Sequence, residues 1–383
     1  MTTNTLTNLL PNLYASLDVV SRELTGLIPA VTMDARVDRV AKNQTVYVPI
    51  TAANTAGGDI TPAMAVPAES DQTVSNSAIT ISKYRAFPFS WDGEEQSGLN
   101  SGPGYSNILN GQIMQAMRAA VNEVETDLAA LQSQFSRATG TAATTPFGTA
   151  GNFTDATNAL KILKDNGAPV SDNQLVLNTT AGAKFLGLQG NYSVTNDPTM
   201  MNQGVFMTNA GMQLRESGQI VTQTAGSFTS GTLTSAVRAV GSTVLVATAD
   251  YTAGLAAGDI ITLAHESDAH KYVIQAVAAG SITIQAPGLR TATAASGTVA
   301  ITKIATSARN MAFNRSAIVL ATRLPSRPAE GDMAIDVSSI TDPRSGLTFE
   351  VAVYPGYRKV RYELALAWGV KLIKPEHTAL LLG

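Results

Sequence analysis

The chain has 383 residues, 44% of them hydrophobic and only 14% charged, with a net charge of −3 and no cysteine. The length allows a large core and two or three domains. Lack of cysteine excludes disulfide scaffolds, thiolate catalysis, iron–sulfur clusters and Cys-ligated zinc, and the charge balance excludes a basic face that grips phosphates.

Charge this sparse, against a usual quarter of residues, points to a surface largely covered by other subunits. The alternative is a Thr- and Ser-rich extracellular β protein. The first residues, MTTNTLTNLLPNLYASL, have no basic stretch leading into an apolar run, so no signal peptide is expected. No stretch approaches eighteen uncharged apolar residues, so no membrane span is expected.

From the start of the chain, Leu13, Leu17, Val20, Leu24 and Leu27/Ile28 recur at helical spacing, which predicts an amphipathic helix over 13–28, closed by Gly26 and Pro29. Residues 44–91 read as two strands, QTVYVPI and SAITISKYRAFPFSW, joined by a Gly-, Pro- and Ala-rich loop. A loop of that length has no core of its own and suits an arm resting on a neighbour.

The clearest helix is predicted over 105–136, where Leu109, Ile113, Met117, Val121, Val124, Leu128, Leu131 and Phe135 form one stripe. Gln112, Gln115, Asn122, Glu125, Gln132 and Ser136 fall elsewhere on the wheel. At 1.5 Å per residue it spans roughly 45 Å. A helix–strand–helix unit follows over 154–188, and then a polar, Met-bearing connector.

Over 222–305 the pattern changes to short alternating segments (STVLVATA, DIITLA, KYVIQAVA, SITIQA, GTVAITKI) with Gly between them. That spacing predicts a small antiparallel barrel or sandwich, inserted into a longer chain. RNMAFNRSAIVLATR (309–323) reads as one strand, followed by MAIDVSSI and LTFEVAVYP. In the last strand, from Lys359, the residues Val360, Tyr362, Leu364, Leu366, Trp368, Val370 and Leu372 alternate with Arg361, Glu363, Ala365, Ala367, Gly369 and Lys371. Such a strand reaches roughly 50 Å, far beyond the usual five or six residues.

Chemistry is sparse. His265, Glu266, Asp268 and His270 cluster, but the two histidines are five apart in a predicted hairpin loop, where metal-binding helices use four. Glu94 and Glu95 beside Asp92 read as solvated charge, and His377 as a turn residue. There is no phosphate-cradling loop and no nucleophile elbow. The sequence is read as a non-enzyme with no cofactor and no metal.

The segments NMAFNRSAIVLATRLP (310–325), LAWGVKLIKPEHTALLL (366–382), LKDNGAPVSDNQLVLNTTAGAKFL (163–186) and AAGDIITLAHESDAHK (256–271), with the order of elements along the chain, resemble the major capsid (coat) proteins of tailed double-stranded-DNA bacteriophages. The similarity is to the short-tailed-phage type that carries an inserted telokin-like domain. It implies an α+β capsid fold: a long spine helix over a long β-sheet, an extended loop (E-loop), an N-arm and an inserted β-barrel. The implied division is an N-arm over 1–41, an E-loop over 42–91, the spine helix with peripheral and axial parts over 92–221, the inserted barrel over 222–305, and the axial remainder with the long peripheral strand over 306–383.

The implied function is self-assembly, with a separate scaffolding protein, into an icosahedral virion shell of pentamers and hexamers. That shell encloses double-stranded DNA without sequence-specific binding, involves a portal protein and no membrane, and forms in the host cytoplasm. The implied contacts are His265, Glu266, Asp268, His270 and Lys271 between capsomers; Asp59, Glu69, Asp71, Lys83 and Arg85 for the E-loop; and Leu13, Leu17, Arg22 and Leu24 for the N-arm and scaffold. The alternatives are an encapsulin-like compartment shell and an extracellular adhesin or tail-fibre protein.

Overall fold

The computed structural model describes residues 25–51, 62, 74–99, 105–148, 153–189, 208–209, 211–234, 237–247, 254–264, 270–293, 299–342 and 345–383. Most of the predicted N-terminal helix lies outside them; its described end is a short 3₁₀ turn at Ile28–Ala30.

In chain order the strands are β1 (Thr32–Val40), β2 (Thr45–Thr51), β3 (Val74–Thr80), β4 (Lys83–Asp92), β5 (Arg137–Thr139), β6 (Asn173–Leu177), β7 (Thr208–Asn209), β8 (Met212–Glu216) and β9 (Thr222–Gln223). They continue as β10 (Gly231–Leu233), β11 (Val244–Val246), β12 (Ile260–Ala264), β13 (Lys271–Ala278), β14 (Ser281–Ile284), β15 (Val299–Lys303) and β16 (Ser307–Asn314). The last are β17 (Ile318–Pro325), β18 (Asp336–Thr341), β19 (Thr348–Gly356), β20 (Lys359–Leu372) and β21 (Thr378–Leu382). Helices run over Gly93–Leu99, Tyr105–Ala130, Thr154–Asp165 and Thr179–Gln189. The α+β class follows from this mixture.

The long terminal strand is present as β20, at its predicted bounds. Its length has a structural reason. One edge pairs first with β19 (Gly356↔Lys359 to Glu350↔Ala365) and then with β17 (Arg323↔Ala367 to Ile318↔Leu372). The other edge pairs with β4 from Asp92↔Lys359 to Lys83↔Trp368. A strand of ordinary length could not join both partners into one sheet.

The spine helix spans Tyr105–Ala130 and tightens into a 3₁₀ turn at Leu131–Gln134, so its α-helical part ends earlier than expected. Every residue of the predicted stripe, from Leu109 to Phe135, is buried in the main core. The helix lies on the large-residue face of β20, where Leu364, Leu366 and Trp368 join the same core. Both tryptophans fix it: Trp368 Nε1 donates to Asp127 Oδ2 at 2.8 Å and Trp91 Nε1 to Gln112 Oε1 at 2.7 Å. An indole buried on a sheet needs an acceptor for its N–H, and the helix supplies one at each end.

Three expectations change. The segment 74–92 is two strands, not one: β3 pairs with β2 and β4 with β20, with a break at Ile81–Ser82. Ile81 turns inward there, and its amide and carbonyl bond Gln44 and Asn43 at the hairpin base. The segment 309–323 also divides. β16 belongs to the larger sheet and β17 to the sheet of β20. Asn314 makes the break, its Oδ1 accepting from Ser316 N at 3.2 Å, as Asn does where it caps a turn. Finally, the connector after residue 190 contains β8, parallel to β6 across the helix Thr179–Gln189. Met212 and Leu214 alternate inward with Gln213 and Arg215, too briefly to stand out as a strand.

The face of β20 opposite the spine helix carries Ala365, Ala367 and Gly369. The β2–β3 hairpin lies across it, with Ile79, Ile81, Val319, Ala321 and Ala367 in a small separate core. A Cβ on Gly369 would overlap the Thr80 carbonyl oxygen. Lys371 Nζ donates to Ala78 O at 2.8 Å beside it. Gly369→Val should therefore lift the hairpin, with protease cleavage appearing within 41–82 and a loss of about 2 kcal/mol or more in denaturant melts; an unchanged melt and cleavage pattern would show that the hairpin does not depend on this contact.

Candidate assembly surfaces

Of the predicted contact residues the structure describes four, two on β4 and two at or just before the start of β13. Leu13, Leu17, Arg22 and Leu24 lie outside the described residues, as do Asp59, Glu69, Asp71, His265, Glu266 and Asp268. Lys83, Arg85, His270 and Lys271 are described. What the structure shows is how the root of each segment is held.

The arm root is residues 25–31. Leu27 and Ile28 are fully buried in the main core, and their amides are gripped by Glu125 of the spine helix. Leu27 N donates to Oε1 and Oε2 at 3.0 and 3.1 Å, and Ile28 N to Oε1 at 2.7 Å. Ser217 Oγ donates to Oε2 at 2.7 Å. Spacing on the helical wheel groups Glu125 with the polar residues; it is in fact buried. It was missed because a carboxylate on a polar face normally faces water, and only the free amides of an incoming chain change that. Burial pushes its carboxyl above the usual carboxylate range, against the opposing pull of the Ile28, Ser217 and Leu27 bonds.

The root of the segment predicted to be an E-loop is the β2–β3 hairpin, whose strands end at Thr51 and begin again at Val74. Tyr47 and Val74 are 65% and 60% exposed on it. Lys83 and Arg85 lie on β4, at the start of the sheet rather than on the hairpin. Lys83 Nζ reaches Asp127 Oδ1 at 3.5 Å and Glu123 Oε1 at 3.7 Å, and Arg85 Nε reaches Glu123 Oε1 at 3.0 Å. These half-exposed pairs each add under about 1 kcal/mol, but together they align β4 with the spine helix. What remains exposed of Lys83 and Arg85 is open to a neighbour.

The described residues next to segment 265–269 are His270 and the start of β13. His270 Nδ1 lies 3.5 Å from Arg137 Nη1, and its ring meets that of Tyr272 edge-on. Lys271 Nζ donates to the Gly140 carbonyl, and burial lowers its pKa. Both residues therefore reach back to β5 of the body. Among the described residues no group of three His, Asp or Glu side chains is placed to hold a metal. No helix of the described residues is long and apolar enough to cross a membrane.

No family model matches the sequence, and no curated protein is significantly similar to it. Solved structures do align over most of the chain. The capsid of cyanophage P-SCSP1u aligns at TM-score 0.50 and 10% identity over 94% of this chain and 89% of that one. The capsid asymmetric unit of cyanophage A-1(L) gives TM-score 0.50 and 10% identity over 94% and 93%. The chain has a phage capsid fold. That fold is reached here through a sequence with little in common with those two.

Two outcomes test the arm root. A raised pKa means that the folded state keeps its proton to higher pH than the unfolded chain. The stability from Glu125 is therefore full below about 4.5 and lost as pH rises through the folded pKa. Glu125→Gln mimics the protonated form and should melt within about 1 kcal/mol of the parent while removing that part of the pH dependence. Glu125→Leu leaves buried N–H groups without acceptors, each costing about 1–3 kcal/mol, and should release residues 25–31 to proteolysis.

Proposed function

We propose that this protein is a major capsid protein, the repeating subunit of an icosahedral phage shell. The observation that carries this reading is the fold match to two phage capsids across more than nine-tenths of the chain. The composition supports it. A surface covered by neighbours needs little solvating charge, and 14% charged residues is what such a subunit can carry. The shell would close through repeated heterologous contacts arranged in rings. DNA would be confined rather than gripped, consistent with a net charge of −3.

The finer contacts are part of the proposal. The arm, with Leu13, Leu17, Arg22 and Leu24, would meet neighbours or a scaffolding protein from a root clamped by Glu125. The E-loop, with Asp59, Glu69 and Asp71, would lie over the adjacent copy from the hairpin that displays Tyr47. Loop 265–269 would meet another capsomer, its root fixed to the body by His270 and Lys271. Residues 222–305 would be the inserted barrel, and assembly would occur in a host cytoplasm with portal and scaffolding partners. Supporting the barrel is a hydrophobic cluster distinct from the main one, containing Leu233, Leu245, Leu263, Tyr272, Ile274, Ile282 and Ile301.

Electron microscopy with sedimentation velocity tests the whole. The full chain, alone or with a scaffolding protein, should give closed shells, sheets or spirals; a stable monomer or trimer under both conditions would overturn the reading. Replacing 52–73 by a short Gly-Ser linker should leave a folded subunit with the parental melt that no longer closes shells. Normal particles from that variant would remove the E-loop from the assembly contacts.

A further inference from the structure

A group of buried polar side chains lies where the 222–305 segment meets the body. Arg309 on β16 is 1% exposed, and none of its three guanidinium nitrogens has a hydrogen-bond partner among the described residues. Ser307, two residues away on the same face of β16, is buried with its Oγ unpartnered, and so is Gln132 Oε1 in the turn that ends the spine helix. These atoms share one neighbourhood. Gln132 Nε2 donates to Gln223 Oε1 at 2.8 Å, Gln223 pairs with Ser307, and Arg309 N donates to Val221 O at 3.0 Å. From the insert side, a Cβ on Gly258 would meet Ser133 at 2.9 Å and Gln223 Nε2 at 4.0 Å. The next residue, Asp259, is 1% exposed.

Two features define what fits there. Donors and acceptors are both present: the guanidinium offers N–H groups, Gln132 Oε1 only accepts, and Ser307 Oγ does either. Charge is also balanced. Asp259 sits close enough for its charge to act on Arg309, though burial prevails and lowers the guanidinium pKa to about 10. The Asp259 carboxylate is meanwhile held by Ala256 N at 2.9 Å and Gly226 N at 3.4 Å. A further anion would face Asp259. A molecule that both donates and accepts suits every group, and buried waters typically satisfy two to four otherwise unpaired polar atoms.

We propose that Arg309, Ser307, Gln132 and Asp259 form a buried water-binding site that joins the insert to the body, with Arg309 and Asp259 coupled through the bound water. The site is a latch. Asp259 comes from the insert, Gln132 from the spine helix and Ser307 and Arg309 from the strand that re-enters the body, so three separate chain segments share one hydrogen-bonded network.

The test uses the full chain. A structure at a resolution that shows solvent should place ordered water within about 3.2 Å of the guanidinium. Crystals grown in bromide should show no anomalous peak there; a halide on Arg309, or a direct Arg309–Asp259 ion pair, would overturn the proposal. Arg309→Met and Asp259→Asn should each lower the melting temperature by several degrees, and the double variant by clearly less than the sum. Hydrogen exchange should rise first at 221–231 and 256–260. An Arg309→Met protein as stable as the parent would mean that the guanidinium is only a burial penalty, and would equally refute the site. Should Arg309→Met not fold, Arg309→Lys, which keeps the charge, gives the same readout in hydrogen exchange. None of these outcomes depends on shell formation.

Discussion

The structure depends on one strand being covered on both faces. β20 is the axis of its sheet, and its middle residues are buried above and below. On one face Leu364, Leu366 and Trp368 meet the spine helix; on the other, Ala365, Ala367 and Gly369 admit the β2–β3 hairpin. Period-two alternation assigns each side chain to one cover. Large residues fill the space under a helix, and small ones let a hairpin backbone approach closely. A one-residue slip would exchange these sets and leave neither cover a fit. The ladder with β4, β17 and β19 and the two indole bonds to the helix hold the register.

Charge is scarce, and part of it is used inside. Glu350 is buried and meets Arg39 at 2.6 Å and Arg327 at 2.9 Å, while Arg323, itself buried, reaches Asp34 at 2.7 Å. These pairs tie β1 and β17, and the chain just beyond β17, to β19. Removing one member of such a pair costs more than the pair contributes, because a charge is left behind in a poor dielectric. Such contacts specify how strands assemble more than they add to stability.

Much of this architecture was legible in the sequence. The stripe from Leu109 to Phe135 and the alternation from Lys359 to Leu372 are long and regular, and both elements appear where they were read. KYVIQAVA is β13 at its predicted bounds. What was not legible is where one chain direction serves two sheets. β16 and β17 form an almost continuous buried run, divided only by the turn that Asn314 caps, and the same change of sheet recurs between β20 and β21. The two crossings touch, with Ile373 N donating to Ala317 O at 2.8 Å. Hydropathy cannot show such a point, because both sides of it are buried. The inward turn of Glu125 is hidden for the converse reason: its partners, apart from Ser217, are backbone amides, which leave no trace in side-chain pattern. The proposed contact residues could not be found from pattern at all. They were carried by resemblance, and those that are described, Lys83, Arg85, His270 and Lys271, make their visible contacts within the chain.

Strands of the 222–305 segment are continuous with the rest of the larger sheet. β12 and β13 alternate between two cores: Ile261, Leu263, Tyr272 and Ile274 face a separate smaller cluster, while Ile260 and Val273 are buried in the main one. β13 also pairs with β5 through Lys271↔Ala138 and Tyr272↔Arg137, so the larger sheet runs from β13 into β5 without a gap. A hinge at such a joint would have to break strand hydrogen bonds and expose Val273 at once.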